Sequence, residues 1–233
     1  MKLAIMQPYL FPYIGYFQLI AAAERFVVLD DVNHIKRGWV NRNRILVRGE
    51  PHLFTLPLRD ASQNRHINTI ELAPSAREWQ TAFMRTLELN YRKAPEFPTV
   101  FELCRNIVMN ETLSLADYLR HGLQQVCAYL KIATAVGESS AVFDNQNLAG
   151  QERIIDICRR AHSGHYLNPI GGMEIYNRNA FAAHGIRLNF IQSGDIRYKQ
   201  FDHNFVPWLS IIDIMMFNPV GEIGRMLNLY TLV

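Results

Sequence analysis

Two short apolar runs near the start of the chain each end in polar residues that can do chemistry. Residues 3–6 are followed by Gln7, and residues 26–29 are followed by Asp30 and Asp31. A short apolar run of this kind is typical of a buried strand. In parallel sheets, ligands bind at the carboxyl ends of the strands. We therefore predict that Gln7 and Asp30 lie at one edge of a sheet, Gln7 as a substrate-binding residue and Asp30 as a catalytic one.

His34 is the best candidate for a general base in the same region. Histidine changes charge near neutral pH, so it can accept a proton from an attacking group. A loop histidine that faces solvent fits the same residue pattern, and the sequence leaves both interpretations open.

The positive charge of the chain is concentrated in residues 36–48, which we call the basic segment. Its cationic residues are Lys36, Arg37, Arg42, Arg44 and Arg48. A guanidinium donates in a fixed fork that suits planar anions, and an indole offers a stacking surface. The segment is either a clamp for phosphate, pyrophosphate or carboxylate, or a solvated loop or strand. Its candidate substrate-binding residues are Lys36, Arg37, Trp39, Asn41 and Arg42.

An aromatic loop, residues 8–16, connects the first apolar run to a predicted helix. Pro8 ends the run, because proline has no N–H for a sheet hydrogen bond and its φ is fixed. Three residues of this loop are candidate substrate-binding residues: Tyr13, Gly15 and Tyr16.

Asp213 is the third candidate catalytic residue. It lies in an apolar run that is predicted to be a helix, beginning at Ser210 or Pro207. A buried carboxylate is costly unless it is paired. We therefore expect Asp213 to be at least half buried and to bond an Arg or Lys of the basic segment, or Tyr198. A structural pairing and a role in the site are both compatible with this position.

The periodicity of apolar residues predicts the elements that position these side chains. A helix at 17–25 between the first two strands gives a strand–helix–strand opening. Tyr166, a candidate substrate-binding residue, and Leu167 end another short run before a loop rich in Gly and Pro, and a strand at 186–191 completes a second such unit. Strands at 52–58 and 67–72 are expected to extend the opening sheet antiparallel.

Helical periodicity begins after Ser75, which with Glu78 fits a capping box. Further helices are predicted at 97–108, 114–130, 147–161 and 176–184. The predicted fold class is α/β, with a Rossmann-like three-layer core and a mostly parallel sheet. We expect a single domain over 1–233 with a helical insertion or subdomain at about 75–131.

Composition narrows the function classes. The chain has 233 residues, of which 49% are hydrophobic and 19% charged, and a formal net charge of +3, too small for a dedicated nucleic-acid binding protein. The apolar runs are too short to span a membrane, and no signal peptide is recognisable. The three cysteines lie in apolar helical patterns, which indicates buried reduced thiols and a cytoplasmic location. No metal site is indicated, and the cofactor is unknown.

Several stretches in fixed order resemble the WbqC-like family of bacterial proteins. They are MQPYLFPYIGYFQLI, DDVNHIKRGWVNRNRI, LNYRKAPEF, HYLNP and YKQFDHNFVPWLSIIDIMMFN, and together they cover nearly the whole chain. The last of them contains Tyr198 and Gln200, which we add to the candidate substrate-binding residues. The resemblance implies a role in O-antigen or other surface-polysaccharide biosynthesis, with transfer of glycine or another aminoacyl group onto a sugar as a suggested reaction.

The leading hypothesis is a transferase that binds an anionic small molecule, either a nucleotide sugar or an activated acyl or aminoacyl donor. One alternative is a nucleotidyltransferase-like enzyme, since the aromatic loop occupies the place of the H-x-G-H motif in Rossmann-like nucleotidyltransferases. Here Tyr13 and Tyr16 stand in the places of the two histidines, so the motif itself is absent from this loop. Another alternative is a non-catalytic binding protein for a polysaccharide intermediate or a nucleic acid.

Overall fold

The computed structural model describes residues 1–201 and 204–233. Its strands, in chain order, are β1 Lys2–Met6, β2 Arg25–Val28, β3 Arg42–Val47, β4 Glu50–Thr55, β5 Leu58–Arg59, β6 Glu71–Leu72, β7 Val136–Ser139, β8 His165–Pro169, β9 Arg187–Ser193 and β10 Tyr230–Leu232. Its α-helices are α1 Ile14–Ala22, α2 Ala76–Tyr91, α3 Phe97–Val108, α4 Leu115–Tyr129, α5 Gly150–Arg160, α6 Arg178–Ala182, α7 Ile211–Phe217 and α8 Val220–Met226. Short 3₁₀ turns cover Ile67–Thr69, Ser140–Phe143 and Ile170–Glu174.

A six-stranded sheet has the order β10-β9-β8-β1-β2-β7. Its neighbours pair in parallel except β10, which runs antiparallel to β9. The chain builds from β1 outward to β2 and β7, and then returns to the other side of β1 to add β8 and β9. The prediction of an α/β fold with a mostly parallel sheet is confirmed. The strand order therefore reverses between β1 and β8. In parallel sheets of this kind, ligands bind in the crevice at the point where the strand order reverses.

The opening strand–helix–strand unit makes β1 and β2 parallel neighbours, as the sequence predicts. Their register pairs Leu3 with Arg25. Helix α1 starts and ends three residues before the predicted range 17–25, so that range is wrong. Tyr13 is the extended residue that starts the helix. Arg25 belongs to β2, where its side chain forms an ion pair with Glu138 of β7 at 2.6 Å.

Strands β3 and β4 form their own antiparallel pair, and so do β5 and β6. The prediction that this region extends the opening sheet is therefore wrong. A hairpin satisfies its own backbone hydrogen bonds, and the buried side chains Ile45 and Phe54 join the helical core instead. The range 67–72 contains a 3₁₀ turn before the short strand β6.

Helices α2, α3 and α4 fill most of the predicted helical region at 75–131. The prediction of a capping box at Ser75 is wrong, because Ser75 has helical φ and ψ and its side chain makes no capping hydrogen bond. Ser114 does cap α4, since its side chain accepts from the N–H of Asp117. The predicted helices 147–161 and 176–184 are a few residues shorter in the structure.

Alternate residues of the central strands face two separate apolar clusters. Ala4 and Phe26 join a large cluster with α1, α2, α3, α4 and α7. Leu3 and Val27 join a smaller one with α5 and α6. The two-residue period of a strand produces this division. Helices therefore cover both faces of the sheet.

The cysteines Cys104, Cys127 and Cys158 are buried and unbridged, as predicted. Burial raises the pKa of each thiol, to about 12 for Cys127 and Cys158. Over residues 1–201 and 204–233, no helix has the length and apolar character needed to cross a membrane.

Candidate active site

Gln7 and Asp30 lie at the same carboxyl edge of the sheet, as predicted. Gln7 directly follows β1, and Asp30 follows β2 by one residue. The N–H of Leu29 donates to the carbonyl oxygen of Met6 at 2.9 Å, so the pairing of the two strands continues up to these positions. The common edge is confirmed, and the chemical roles of the two residues stay predictions.

Three buried polar atoms here have no hydrogen-bond partner among the described residues. They are Oε1 of Gln7 and both ring nitrogens, Nδ1 and Nε2, of His34. Buried polar atoms in native proteins are almost always hydrogen-bonded, because an unpaired one costs about 1–3 kcal/mol. An acceptor after one strand and an imidazole on the loop after the next strand therefore have hydrogen-bonding capacity that no described residue uses.

His34 is a buried loop histidine, with 6% of its surface exposed. Its N–H donates to the carbonyl oxygen of Arg65 at 2.9 Å, which holds the loop in place. Burial lowers the pKa of His34 below its ordinary value, and the neighbouring Asn41 opposes this shift. The imidazole is therefore neutral near pH 7, the state that a general base requires.

Asp30 is a buried carboxylate held by a serine. The hydroxyl of Ser139 donates to its Oδ1 at 2.5 Å. Burial raises the pKa of Asp30, the Ser139 hydrogen bond opposes this, and the neighbouring Asp31 raises the pKa further. Such a carboxylate can take part in proton transfer closer to neutral pH than an exposed one.

Asp31 belongs to a different cluster, in which both oxygens of its carboxylate accept hydrogen bonds. Arg153 donates to its Oδ2 at 2.6 Å and Gln146 to the same oxygen at 2.9 Å, and the hydroxyl of Ser140 donates to Oδ1. Burial acts to raise the pKa of Asp31, but these hydrogen bonds and the charge of Arg153 outweigh it and lower the pKa. This cluster fastens the loop after β2 to α5.

The basic segment lies against the aromatic loop. The N–H of Leu10 donates to the carbonyl oxygen of Val40 at 2.9 Å, and the amide of Asn43 donates to that of Phe11 at 2.7 Å. Trp39 is 41% exposed. The guanidinium groups of Arg42 and Arg44 lie over its ring, at 5.8 Å and 5.4 Å from the centroid.

No cation of the basic segment forms an ion pair with an acidic side chain in the described part of the chain. Lys36 and Arg37 are exposed, and Arg42 is half buried with its Nε donating to the carbonyl oxygen of Gly38 at 2.9 Å. The segment therefore presents uncompensated positive charge beside the aromatic loop.

The three candidate residues of the aromatic loop differ in their burial and in their contacts. Tyr16 is buried, and its hydroxyl donates to the carbonyl oxygen of Gln7 at 2.7 Å. Tyr13 is half buried, and its ring lies 5.1 Å from that of Trp208. A Cβ at Gly15 would lie 2.7 Å from Oγ of Ser193, so this position is glycine because α1 packs closely on the end of β9.

Asp213 is fully buried, which meets the burial expectation. Its carboxylate accepts from Tyr91 at 2.7 Å, and from Tyr198 and Gln200 at 2.6 Å. The expected Tyr198 partner is present, whereas no Arg or Lys bonds Asp213 in the described residues. Burial raises the pKa of Asp213, against the hydrogen bonds of the two tyrosines and Gln200. Asp213 and Gln200 are thus buried, and the half-buried Tyr198 covers their cluster.

Tyr166 is also fully buried, stacked on Phe181 at 5.5 Å in the smaller apolar cluster. The structure therefore places its ring in the core and not at the carboxyl edge. Within the described residues, no group of three or more His, Cys, Asp or Glu side chains converges.

Sequence reasoning missed two positions. Arg153 stands among apolar residues of α5, and an isolated cation on an apolar helix face is the signal that could have identified a buried ion pair. Trp208 had no such signal, because its exposure and its positive φ are properties of the folded chain.

Two surface cavities lie elsewhere. One of about 550 Å³ is lined by Ala23, Glu24 and Thr134, which precede β2 and β7 and so mark the amino-terminal edge of the sheet. Another of about 390 Å³ lies beside Arg59 and Arg77. We favour the carboxyl edge, because it holds the unpartnered buried atoms, whereas neither cavity contains any.

The fold and the site define an α/β protein with a candidate ligand site at the carboxyl edge of a mostly parallel sheet. The chain matches the WbqC-like protein family over residues 7–224, and it belongs to this family. It is similar to the uncharacterised protein Rv1507c of Mycobacterium tuberculosis, with 31% identity over 226 residues that cover 95% of each chain. No solved structure matches the chain with significance.

Proposed function

We propose that the protein is a cytoplasmic transferase of bacterial surface-polysaccharide biosynthesis, including O-antigen, built on a Rossmann-like three-layer core. It transfers a glycyl, other aminoacyl or acyl group from an activated anionic donor to a sugar or nucleotide sugar. The observation that carries the ligand site is the set of unpartnered buried atoms on Gln7 and His34. Membership of the WbqC-like family supports the link to surface polysaccharide.

The residues at the carboxyl edge suit acyl transfer. An acceptor hydroxyl or amine attacks the activated carbonyl carbon of the donor, and His34 takes the proton of the attacking group. The new C–O or C–N bond forms as the bond to the leaving group breaks. Cations of the basic segment stabilise the departing anion, because guanidinium groups bind phosphate and carboxylate in a bidentate manner. Gln7 Oε1 accepts a hydrogen bond from the substrate.

Nucleotidyl transfer has less support at this site. Burial raises the pKa of Tyr13 and of Tyr16, so neither can replace a histidine that changes charge near neutral pH. A non-catalytic binding protein would use the same atoms as the transferase, and turnover of a bound donor separates the two.

The first test is a thermal-shift series with UDP-glucose, acetyl-CoA and a non-hydrolysable glycyl-adenylate analogue. A ligand that binds only the native state raises its stability, by about 2.7 kcal/mol at a hundredfold excess over Kd. We expect at least one probe to raise the midpoint of the wild-type protein and to lose this effect in Gln7→Met and His34→Leu.

The unliganded variants give a second readout. An unpaired buried polar atom costs about 1–3 kcal/mol of folding free energy, so removing it leaves the stability unchanged or raises it. Gln7→Met should therefore unfold at the same or a higher denaturant concentration than wild type. Gln18→Met is the matched control, because Gln18 is fully buried and its amide donates to the carbonyl oxygens of Met226 and Leu229. This control should lose stability and keep the ligand shift.

Two results would contradict the proposed site. One is a loss of stability in Gln7→Met as large as that in Gln18→Met. The other is a ligand shift that survives in both Gln7→Met and His34→Leu.

A further inference from the structure

Trp208 is an exposed aromatic residue in a strained backbone conformation. Its φ is 60°, in the left-handed region that bulky side chains rarely adopt, and 65% of its surface is exposed. A ring that remains largely in solvent gains little burial energy to offset this strain. Strained residues of this kind cluster at ligand sites, where the surrounding structure holds them.

The chain after Trp208 is fastened to the basic segment and to the aromatic loop. The N–H of Ser210 donates to the carbonyl oxygen of Arg44 at 2.8 Å, and the N–H of Ile211 donates to that of Pro12 at 3.0 Å. Two residues of chain span roughly 7 Å at most, so the backbone of Trp208 lies within that distance of Ser210. The ring of Trp208 also contacts Tyr13 at 5.1 Å between centroids.

Arg44 connects these contacts to the region around a second exposed tryptophan, Trp39. Trp39 carries the guanidinium groups of Arg42 and Arg44 over its ring, and Arg44 is the residue bonded to Ser210. We name this region the aromatic strip. It consists of Tyr13, Trp39, Arg42, Arg44 and Trp208.

We propose that the aromatic strip binds an acidic oligosaccharide, the acceptor side of the reaction. This identification of the acceptor rests on the proposed function. The flat apolar faces of sugar rings pack on exposed indole rings, and guanidinium groups bind the carboxylate or phosphate of an acidic sugar. Both chemistries are present within a few residues of the loop that leads from β1 to α1.

The distribution of charge favours a glycan over a nucleic acid. Single-stranded nucleic acid needs cations that follow a backbone over several nucleotides. Here two arginines converge on one indole, and the formal net charge of the chain is only +3. The strip therefore matches a ligand with isolated acidic groups between stacking rings.

The test uses the indole N–H signals of the ¹⁵N-labelled full chain, which has three tryptophans. Trp79 is an internal control, because it is half buried on α2 and its ring stacks on that of Phe83, 4.9 Å between centroids. Trigalacturonate is the probe, with neutral maltotriose, poly-aspartate and oligo(dT) as comparisons. We expect trigalacturonate to shift the signals of Trp39 and Trp208 and to leave that of Trp79 in place.

Two variants separate stacking from charge. Trp208→Ala should weaken trigalacturonate binding about tenfold, and Arg44→Gln should weaken it similarly while leaving weak maltotriose binding unchanged. Arg85→Gln, an exposed cation on α2, should change neither. In Trp208→Gly, which relieves the positive φ, the protein should be no less stable and still lose binding.

The proposal is overturned if trigalacturonate shifts no indole signal, if poly-aspartate binds equally well, or if oligo(dT) binds more tightly, which would identify a nucleic-acid surface. The thermal shift with the donor probes in Trp208→Ala distinguishes this failure from that of the proposed function. A donor shift retained in Trp208→Ala leaves the donor site intact, whatever the glycan result.

Discussion

The carboxylate of Asp213 offers a prediction that the structure makes quantitative. It is fully buried and accepts hydrogen bonds from Tyr91, Tyr198 and Gln200 without a cation among them. Tyr91 also accepts from the N–H of Leu46 at 2.7 Å, so the cluster joins α2, α7 and β3. Losing this carboxylate should therefore loosen elements that are far apart in sequence.

The cost of Asp213→Ala follows from the donors left without an acceptor. Gln200 keeps a hydrogen bond to the carbonyl oxygen of Val206 at 3.0 Å, whereas the hydroxyl hydrogens of Tyr91 and Tyr198 lose theirs. Each orphaned buried donor costs about 1–3 kcal/mol, and relief of the buried charge offsets part of the sum. We expect a loss of about 2–4 kcal/mol in the free energy of unfolding.

Chemical denaturation of wild type and Asp213→Ala, fitted with a common m-value, measures this loss. The matched control is Asp195→Ala. Asp195 is exposed and pairs with the exposed Arg197, so its removal should cost less than about 1 kcal/mol. A loss below about 0.5 kcal/mol in Asp213→Ala, as surface substitutions give, would refute the reasoning.

The stability that Asp213 contributes should change with pH in the direction opposite to that of a carboxylate in an ordinary salt bridge. Burial raises the pKa of Asp213 above its usual 3.8 in the folded protein, so the folded state holds this proton more tightly. The resulting stabilisation is complete below the unfolded pKa and is lost as pH rises through the folded pKa. Asp213→Asn cannot titrate, so its cost relative to wild type should be larger at about pH 4 than at about pH 7. A cost that grows with pH would show that the carboxylate is stabilised in its ionised form.

Three further predictions concern other parts of the chain. Arg153→Met leaves Asp31 buried without its cation and should lower the free energy of unfolding by about 3–5 kcal/mol in urea denaturation; a loss under about 1 kcal/mol would contradict the buried pair. Gly185→Ala places a Cβ in open space but at φ 70°, so it should cost about 1 kcal/mol, whereas Gly224→Ala within α8 should stabilise by about 0.5–1 kcal/mol; equal effects would exclude backbone strain as the cause. The pKa of His34 is lowered by burial, so its contribution to stability is present above the unfolded pKa and lost as pH falls through the folded value. His34→Gln should therefore lose less stability than wild type between neutral and acid pH, and parallel stability curves would argue against a buried neutral imidazole.

Local patterns in the sequence determined much of the central framework. The apolar runs before Gln7 and Asp30 predicted parallel neighbours with polar ends at one edge, because strand length and turn residues are encoded within a few positions. The helix at 97–108 has its predicted bounds for the same reason. Asp213 was predicted to be at least half buried and to bond an Arg or Lys of the basic segment, or Tyr198, since a buried carboxylate needs a partner. Of these partners, Tyr198 is the one present among the described residues.

Only the tertiary structure decided which distant groups meet. Asp31 and its buried partner Arg153 are 122 residues apart, and no short-range pattern connects them. The unpartnered atoms of Gln7 and His34 became visible only once every neighbouring donor and acceptor had a position. The segment that follows Trp208 lies beside Arg44 and Pro12 because backbone hydrogen bonds fasten the start of α7 to β3 and to the aromatic loop. Pairing between remote segments depends on how whole surfaces pack, and residue spacing along one segment does not contain that information.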